Sequence, residues 1–205
     1  GLAKAAFGVI AQKRQEALRL IARSRHAGWD IPSSHPAGLS FDAGKLLVLD
    51  WYTQTLYAHD PKDPAAVRGL THFTSRFPTA VSFGLESAWS ALASGAIIRH
   101  LKDGALTPAQ TYLSVAPGVS GMVYDGLYLW TCDARRKLLR KHLVDDRLTV
   151  LSAVPYPGEK PVALAFDGEA LWSLDAAERA LIRHDPDNPG KVTGRRALKE
   201  YQDGR

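Results

Sequence analysis

An aromatic residue recurs along this chain at a nearly constant interval. Neighbouring copies are separated by 42, 41 and 42 residues. The four copies are Phe41, Phe83, Tyr124 and Phe166. Six residues after each of them stands a second bulky side chain: Leu47, Trp89, Trp130 and Trp172. Because a fixed period of this length is the signature of a repeat architecture, four equivalent units are predicted to fill residues 34–199.

Each unit is built from short apolar segments that have the length of β-strands rather than helices. In the fourth unit, Asp167-Gly168 separates the first two segments, where a tight hairpin turn needs residues that accept positive φ. Pro186 then ends the third segment, because proline cannot extend a ladder of backbone hydrogen bonds. Such units match the blade of a β-propeller, whose period is about 40 to 45 residues. The sequence therefore predicts an all-β, four-bladed β-propeller with about 42 residues in each blade.

Two polar residues also recur, and neither is predicted to bind a metal. The histidines are His59, His100, His142 and His184, and the aspartates, which the second unit lacks, are Asp50, Asp133 and Asp175. Histidines on the third strand of each blade stand too far from a common axis to share one ion. We expect them to form hydrogen bonds between neighbouring blades, and we expect the aspartates to cap the turns that follow the second strands. No metal site and no cofactor are predicted.

The remaining recurrent positions are predicted to be structural. The tryptophans at the bulky repeat position should pack each blade against the next, and the lone Cys132 should be a small core residue. By alternation along the inner strands, one set of side chains should face a central channel. That set is Ser40, Ser82, Val123 and Ala165. The predicted channel therefore carries no charge.

The fourth unit reads Pro161-x-x-Leu-x-Phe-Asp-Gly168, then Leu171-Trp-x-x-Asp175, then Leu181-Ile-x-x-Asp185. This pattern resembles the repeats of the NHL, SMP-30 and Vgb-like propellers. The second unit departs from this pattern, since Gly84 replaces the turn aspartate. The resemblance implies the fold and no particular substrate. These families usually have six or more blades, so the four units either close as a small propeller or pair with a second copy.

The N-terminal segment, residues 1–30, is predicted to form an amphipathic helix. Apolar side chains such as Phe7, Ile10 and Ile21 recur at three- and four-residue steps, and basic side chains occupy the other face. One interpretation is that this helix packs on the propeller or against a second copy. The other is that it tethers the chain to acidic lipids or continues an upstream membrane anchor. Residues 200–205 form a short C-terminal tail.

Composition limits the partners and leaves the compartment open. The excess of 26 Lys and Arg over 21 Asp and Glu is too small to predict nucleic-acid binding. No stretch is apolar enough to cross a bilayer. Since the chain begins with Gly1, we leave an upstream signal or anchor open and favour a periplasmic or secreted location.

No catalytic residue is predicted, because the chain contains no serine-hydrolase elbow, phosphate loop or zinc-ligand spacing. The loops on the face where the inner strands begin carry aromatic residues beside arginines, a combination that protein interfaces favour. The candidate binding residues are Trp51, Tyr52, Gln54, Arg76, Phe77, Arg135, Arg136 and Tyr156. The predicted function is that of a non-catalytic scaffold for a protein partner, with a homodimer possible. The alternative is a small-ligand hydrolase or lyase of the SMP-30 or Vgb-like type.

Overall fold

The computed structural model describes residues 29–73, 77–113 and 118–198. These residues form sixteen strands in four antiparallel sheets and contain no helix. The four-bladed, all-β prediction is therefore confirmed. The predicted N-terminal helix lies almost wholly outside the described residues, as do Arg76 and the C-terminal tail. The described residues include no helical segment of the length and hydrophobicity that crossing a bilayer requires.

Each sheet is a blade of four strands in sequence order, from an inner to an outer strand. Blade 1 contains β1 (Pro36–Asp42), β2 (Lys45–Asp50), β3 (Thr55–Asp60) and β4 (Asp63–His72). Blade 2 contains β5 (Pro78–Phe83), β6 (Ser87–Leu92), β7 (Ile97–Leu101) and β8 (Pro108–Tyr112). Blade 3 contains β9 (Val119–Tyr124), β10 (Tyr128–Asp133), β11 (Leu138–Leu143) and β12 (Val150–Pro155). Blade 4 contains β13 (Pro161–Phe166), β14 (Leu171–Asp175), β15 (Ala180–His184) and β16 (Val192–Ala197).

Neighbouring blades pack face to face through the bulky repeat position. Trp89 of blade 2 and Trp130 of blade 3 are each 1% exposed. Trp89 lies in a cluster with Met122 and Leu129 of blade 3, and Trp130 packs in the same way on blade 4. Burial of such large rings is the main source of stability between blades. The core role predicted for these two tryptophans is confirmed.

Ser82, predicted to face a channel, lies between blades instead, which corrects the expectation for this residue. Ser82 is 3% exposed, and its hydroxyl accepts a hydrogen bond from the backbone N–H of Tyr124 in blade 3 at 2.8 Å. The sheets stand side by side, so alternate residues of an inner strand face the preceding and the following blade. Val123 likewise packs against the cluster between blades 3 and 4, whereas Ala165 of blade 4 is exposed.

The recurring histidines form hydrogen bonds within their own blades, not between blades as expected. In blade 2, His100 Nδ1 lies 2.6 Å from the Leu106 carbonyl oxygen and Nε2 lies 2.8 Å from the Ser90 hydroxyl. The carbonyl can only accept, so Nδ1 carries the proton and Nε2 accepts from the serine. His142 and His184 repeat this arrangement. Each of these three histidines ties the outer edge of its sheet to the second strand, whereas His59 pairs only with the Pro64 carbonyl oxygen, through Nδ1 at 2.7 Å.

Candidate functional site

Four aromatic side chains from blades 1 and 2 meet at the end of the sheets where the inner strands begin. His35 precedes β1, Trp51 and Tyr52 follow β2, and Phe77 precedes β5. The ring centroids of His35 and Tyr52 are 5.0 Å apart, and those of Trp51 and Phe77 are 6.4 Å apart. We call these four residues the aromatic patch. Three of them were predicted from the sequence as binding residues.

The aromatic patch is exposed although its rings are large and apolar. Tyr52 is 65% exposed, Phe77 50% and Trp51 38%. A cavity of about 290 Å³ opens between Trp51 and Phe77, with walls from Ala37, Pro78, Thr79 and Ala93. This volume is at the lower limit of small-molecule sites and suits a few apolar side chains better than a polar metabolite.

The buried carboxylate of Asp50 holds the backbone beneath the patch. One oxygen accepts hydrogen bonds from the N–H groups of Tyr52 and Thr53 at 2.9 and 3.0 Å. The other accepts from the N–H groups of Ser34 and His35 at 2.9 and 3.0 Å. Burial opposes ionisation, but these bonds outweigh it and hold the pKa of Asp50 well below its ordinary value. The predicted turn cap thus also fixes the segment before β1, which the sequence did not indicate.

Phe77 has a backbone conformation that favours glycine. Its φ is 57°, and the equivalent position in blade 3 is Gly118, with φ of 83°. A side chain in this left-handed region costs about 1 kcal/mol. Six other non-glycine residues of the described ranges also have positive φ, and two of them, Leu106 and Leu148, are buried. The half-exposed ring of Phe77, rather than its φ, therefore makes it a candidate for function.

The other predicted loop residues do not join the patch. Arg135 and Arg136 lie in the turn between β10 and β11 at the same end of blade 3, whereas the patch is formed by blades 1 and 2. The Arg136 guanidinium lies 3.4 Å from the Asp133 carboxylate, and the neighbouring Lys137 pairs with Glu159 at 2.6 Å. Gln54 closes the turn after Tyr52 with φ of 54°.

Tyr156 corrects the prediction of an exposed loop residue. It is 5% exposed, and its hydroxyl lies 3.0 Å from that of Ser173. Burial raises the pKa of its phenol. His35, in contrast, was missed, although it precedes Phe77 by one repeat of 42 residues and lies directly before β1. Comparison of equivalent repeat positions is the signal that would have found it.

A second cavity, of about 690 Å³, lies at the opposite end of the sheets. Glu86, Arg99, Tyr124 and Asp125 contribute to its lining, together with Trp89. The indoles of Trp130 and Trp172 donate to Asp125 and Asp167, at 2.7 and 2.8 Å. Gly84 stands at the matching aspartate position of blade 2, and the buried indole N–H of Trp89 has no hydrogen-bond partner.

The ring of Tyr124 explains why blade 2 departs from the repeat. A Cβ atom on Gly84 would lie 2.5 Å from this ring, so no aspartate fits there. The cavity thus combines the carboxylates of Glu86 and Asp125 and the Arg99 guanidinium with aromatic walls, which suits a small polar ligand. Nowhere in the described ranges do three His, Cys, Asp or Glu side chains lie together in a group that could hold a metal.

Four antiparallel sheets packed side by side, with recurrent tryptophans between them, define this chain as a β-propeller protein. Known structures share this fold. Glutaminyl cyclase from Myxococcus xanthus matches with a TM-score of 0.68 at 17% identity, over 80% of this chain and 71% of that one. Virginiamycin B lyase from Staphylococcus aureus matches with a TM-score of 0.53 at 16% identity, over 84% of this chain and 58% of that one.

A third structure, hydrazine synthase from Kuenenia stuttgartiensis, matches with a TM-score of 0.55 at 15% identity, over 86% of this chain and 52% of that one. The chain spans little more than half the length of the lyase and of the synthase. At these identities the likenesses show the fold alone. No protein-family profile matches the sequence, and no curated protein matches it.

Proposed function

We propose that this chain is a non-catalytic interaction module that binds a protein partner through the aromatic patch. The observation that carries the proposal is an exposed set of Trp, Tyr and Phe rings, beside which the buried Asp50 carboxylate holds the backbone of Tyr52 and His35 in place. Tryptophan and tyrosine dominate the energetics of protein interfaces because they bury much area and lose little rotamer entropy on binding. Elsewhere on a soluble surface, an aromatic group of this size would be a liability.

The cavity between Trp51 and Phe77 specifies what the partner presents. Its apolar walls suit an aliphatic or proline side chain that inserts between the two rings, with Tyr52 and His35 beside it. Arg135 lies at the same end of the blades and would contribute a basic rim that favours acidic groups on the partner. The N-terminal segment would fix the module in a larger or membrane-anchored assembly.

A small-ligand hydrolase or lyase is the second candidate, and the 690 Å³ cavity favours it. Glu86 and Arg99 bring opposite charges to a cavity of the size that small molecules occupy. Metal content of the purified protein separates a metal-assisted enzyme from the module. One divalent ion bound per chain would support the enzyme, whereas the module requires none.

Site-directed photocrosslinking in the native cells tests the module. A benzoylphenylalanine at Tyr52 is expected to crosslink to one protein, and the purified protein should then bind the chain directly. The control carries the same group at Leu127, which is 62% exposed against 65% for Tyr52 and lies at the opposite end of blade 3. Equal crosslinking from both positions, or none from Tyr52, would contradict the proposal.

Two substitutions then define the energetics with the purified partner. Trp51→Ala is expected to weaken binding by about 2 kcal/mol, the cost of removing an interface hot spot. Phe77→Gly should weaken binding at least tenfold and yet be more stable than Phe77→Ala by about 1 kcal/mol, because glycine relieves the left-handed backbone. Stability is measured by urea unfolding. Loss of binding only in variants that unfold would indicate a structural role for the patch.

A further inference from the structure

The three interfaces between blades use the same positions in every repeat. The face that a blade turns to its successor is formed in blade 2 by Trp89, Ala91 and Ile97, none of which is more than 1% exposed. The face that a blade turns to its predecessor is formed in the same blade by Val81 and Ala88, which are 3% and 0% exposed. Each blade therefore carries two different apolar faces.

Within the described residues no blade precedes blade 1, and the matching face of blade 1 is uncovered. The inner strands β1 and β5, β5 and β9, and β9 and β13 pack together, but β13 forms no comparable interface with β1. Leu39 and Phe41 are 63% and 60% exposed, whereas Val81, at the position of Leu39 in blade 2, is buried. The four blades therefore form an open arc within the described residues.

No blade follows blade 4 in the part of the chain that the structure describes, and the opposite face is uncovered there. Trp172, Leu174 and Leu181 are only half-buried, whereas the equivalent residues of blade 3 are fully buried. Those equivalents are Trp130, Cys132 and Leu139. The last blade thus retains the large apolar side chains that a following blade would cover.

A terminal repeat whose outer face meets water normally carries polar residues there. Both ends of this arc are apolar instead, and they are the two complementary halves of one interface. We propose that a second copy of this chain docks head to tail on the first, so that blade 4 of each copy packs on blade 1 of the other. In the resulting ring of eight blades each copy supplies one half to each of the two interfaces, and closure requires the arc of each copy to span half a turn.

The internal interfaces specify the contacts between copies. Trp89 packs on Tyr124 with ring centroids 6.1 Å apart. Trp172 and Phe41 occupy the same repeat positions as this pair, so Trp172 of one copy is expected to pack on Phe41 of the other. Leu174 and Leu181 of one copy are expected to cover Leu39 of the other. Their equivalents in blade 2, Ala91 and Ile97, lie in one cluster with Met122, which is the equivalent of Leu39 in blade 3.

Light scattering coupled to size exclusion tests the proposal on the full chain over a hundredfold range of concentration. The expected mass is twice the 22.4 kDa of one copy. Leu39→Glu combined with Phe41→Glu should weaken association at least a hundredfold. The control Leu151→Glu, at a residue 50% exposed on the outer strand β12, should leave the mass unchanged. A one-copy mass for the unmodified chain at all concentrations, as when another segment covers both faces, would overturn the proposal.

Mixing two variants tests the head-to-tail arrangement itself. Phe41→Glu blocks the blade 1 face and Leu174→Glu blocks the blade 4 face, so each variant alone should be monomeric. Their mixture retains one intact interface, formed by the unmodified blade 1 face of the second variant and the unmodified blade 4 face of the first. A mixed dimer is therefore expected, with circular dichroism confirming that both variants fold. A mixture that stays at the mass of one copy would overturn the arrangement.

Discussion

Replacement of Asp50 with alanine is expected to lower the free energy of unfolding by about 4 kcal/mol. The carboxylate is fully buried and accepts hydrogen bonds from four backbone N–H groups. A hydrogen bond to a charged group contributes about 1.5 to 3 kcal/mol, and a buried donor left unpaired costs about 1 to 3 kcal/mol, part of which water recovers near the surface. The loss is measured by urea unfolding at pH 7.

Asp50→Ala should also alter the position of the aromatic patch, because the N–H groups of His35 and Tyr52 donate to the Asp50 carboxylate. Asp50→Ala is thus expected to abolish crosslinking from position 52 even under conditions where the protein stays folded. The control is Asp60→Ala, which removes a partly exposed aspartate that accepts from one backbone N–H and from Arg68. A loss of stability at position 50 no larger than that at position 60 would exclude the structural role of Asp50.

Stability is also expected to fall steeply when the pH is lowered from 7 to 5. Burial lowers the pKa of His100, His142 and His184 in the folded protein, that of His142 to about 4. In the unfolded chain these histidines titrate near pH 6.5. Between the two values the unfolded chain binds protons that the folded chain rejects, so unfolding becomes easier as the pH falls.

The size of this effect follows for His142. When the pH falls from 7 to 5.5, protonation of His142 in the unfolded chain lowers the free energy of unfolding by about 1 kcal/mol. The other two histidines act in the same direction. The pKa values of Asp50 and Asp175 are lowered in the folded protein, so these aspartates affect stability only when the pH falls to about 4 or below. The effect of the histidines and that of the aspartates therefore occur in different pH ranges. His142→Gln should flatten the slope of unfolding free energy against pH between 7 and 5. An unfolding free energy that stays constant over this range would contradict the buried neutral histidines.

The sequence predicted the fold because packing and turn residues recur at fixed intervals. The period of 42 residues, the Asp-Gly turns and the bulky position specified four antiparallel blades, and Trp89 and Trp130 are buried as expected. The direction of the inner-strand side chains was wrong. Alternation along a strand separates two faces but does not say that both faces meet neighbouring blades, so Ser82 was assigned to a channel.

The candidate site was predicted only in part. Trp51, Tyr52 and Phe77 were predicted because aromatic residues beside arginines, in loops at one end of the strands, are typical of protein interfaces. Tyr156 looks the same in the sequence but is buried, since a residue that follows an outer strand can fold back over the blade. The open ends of the arc were not predicted either. A repeat count alone does not fix the angle between blades, and so does not say whether four of them close.

The most direct test is hydrogen exchange of the five tryptophan indole N–H groups. It tests two claims: that the recurrent tryptophans lie between blades, and that Trp51 is free to bind. The resonances are assigned by single Trp→Phe substitutions. We expect Trp89 and Trp130 to exchange at least a hundredfold more slowly than Trp51, because they are 1% exposed and Trp51 is 38% exposed. Exchange of Trp89 and Trp130 as fast as that of Trp51 would contradict the packed blades on which the patch and the docking faces depend.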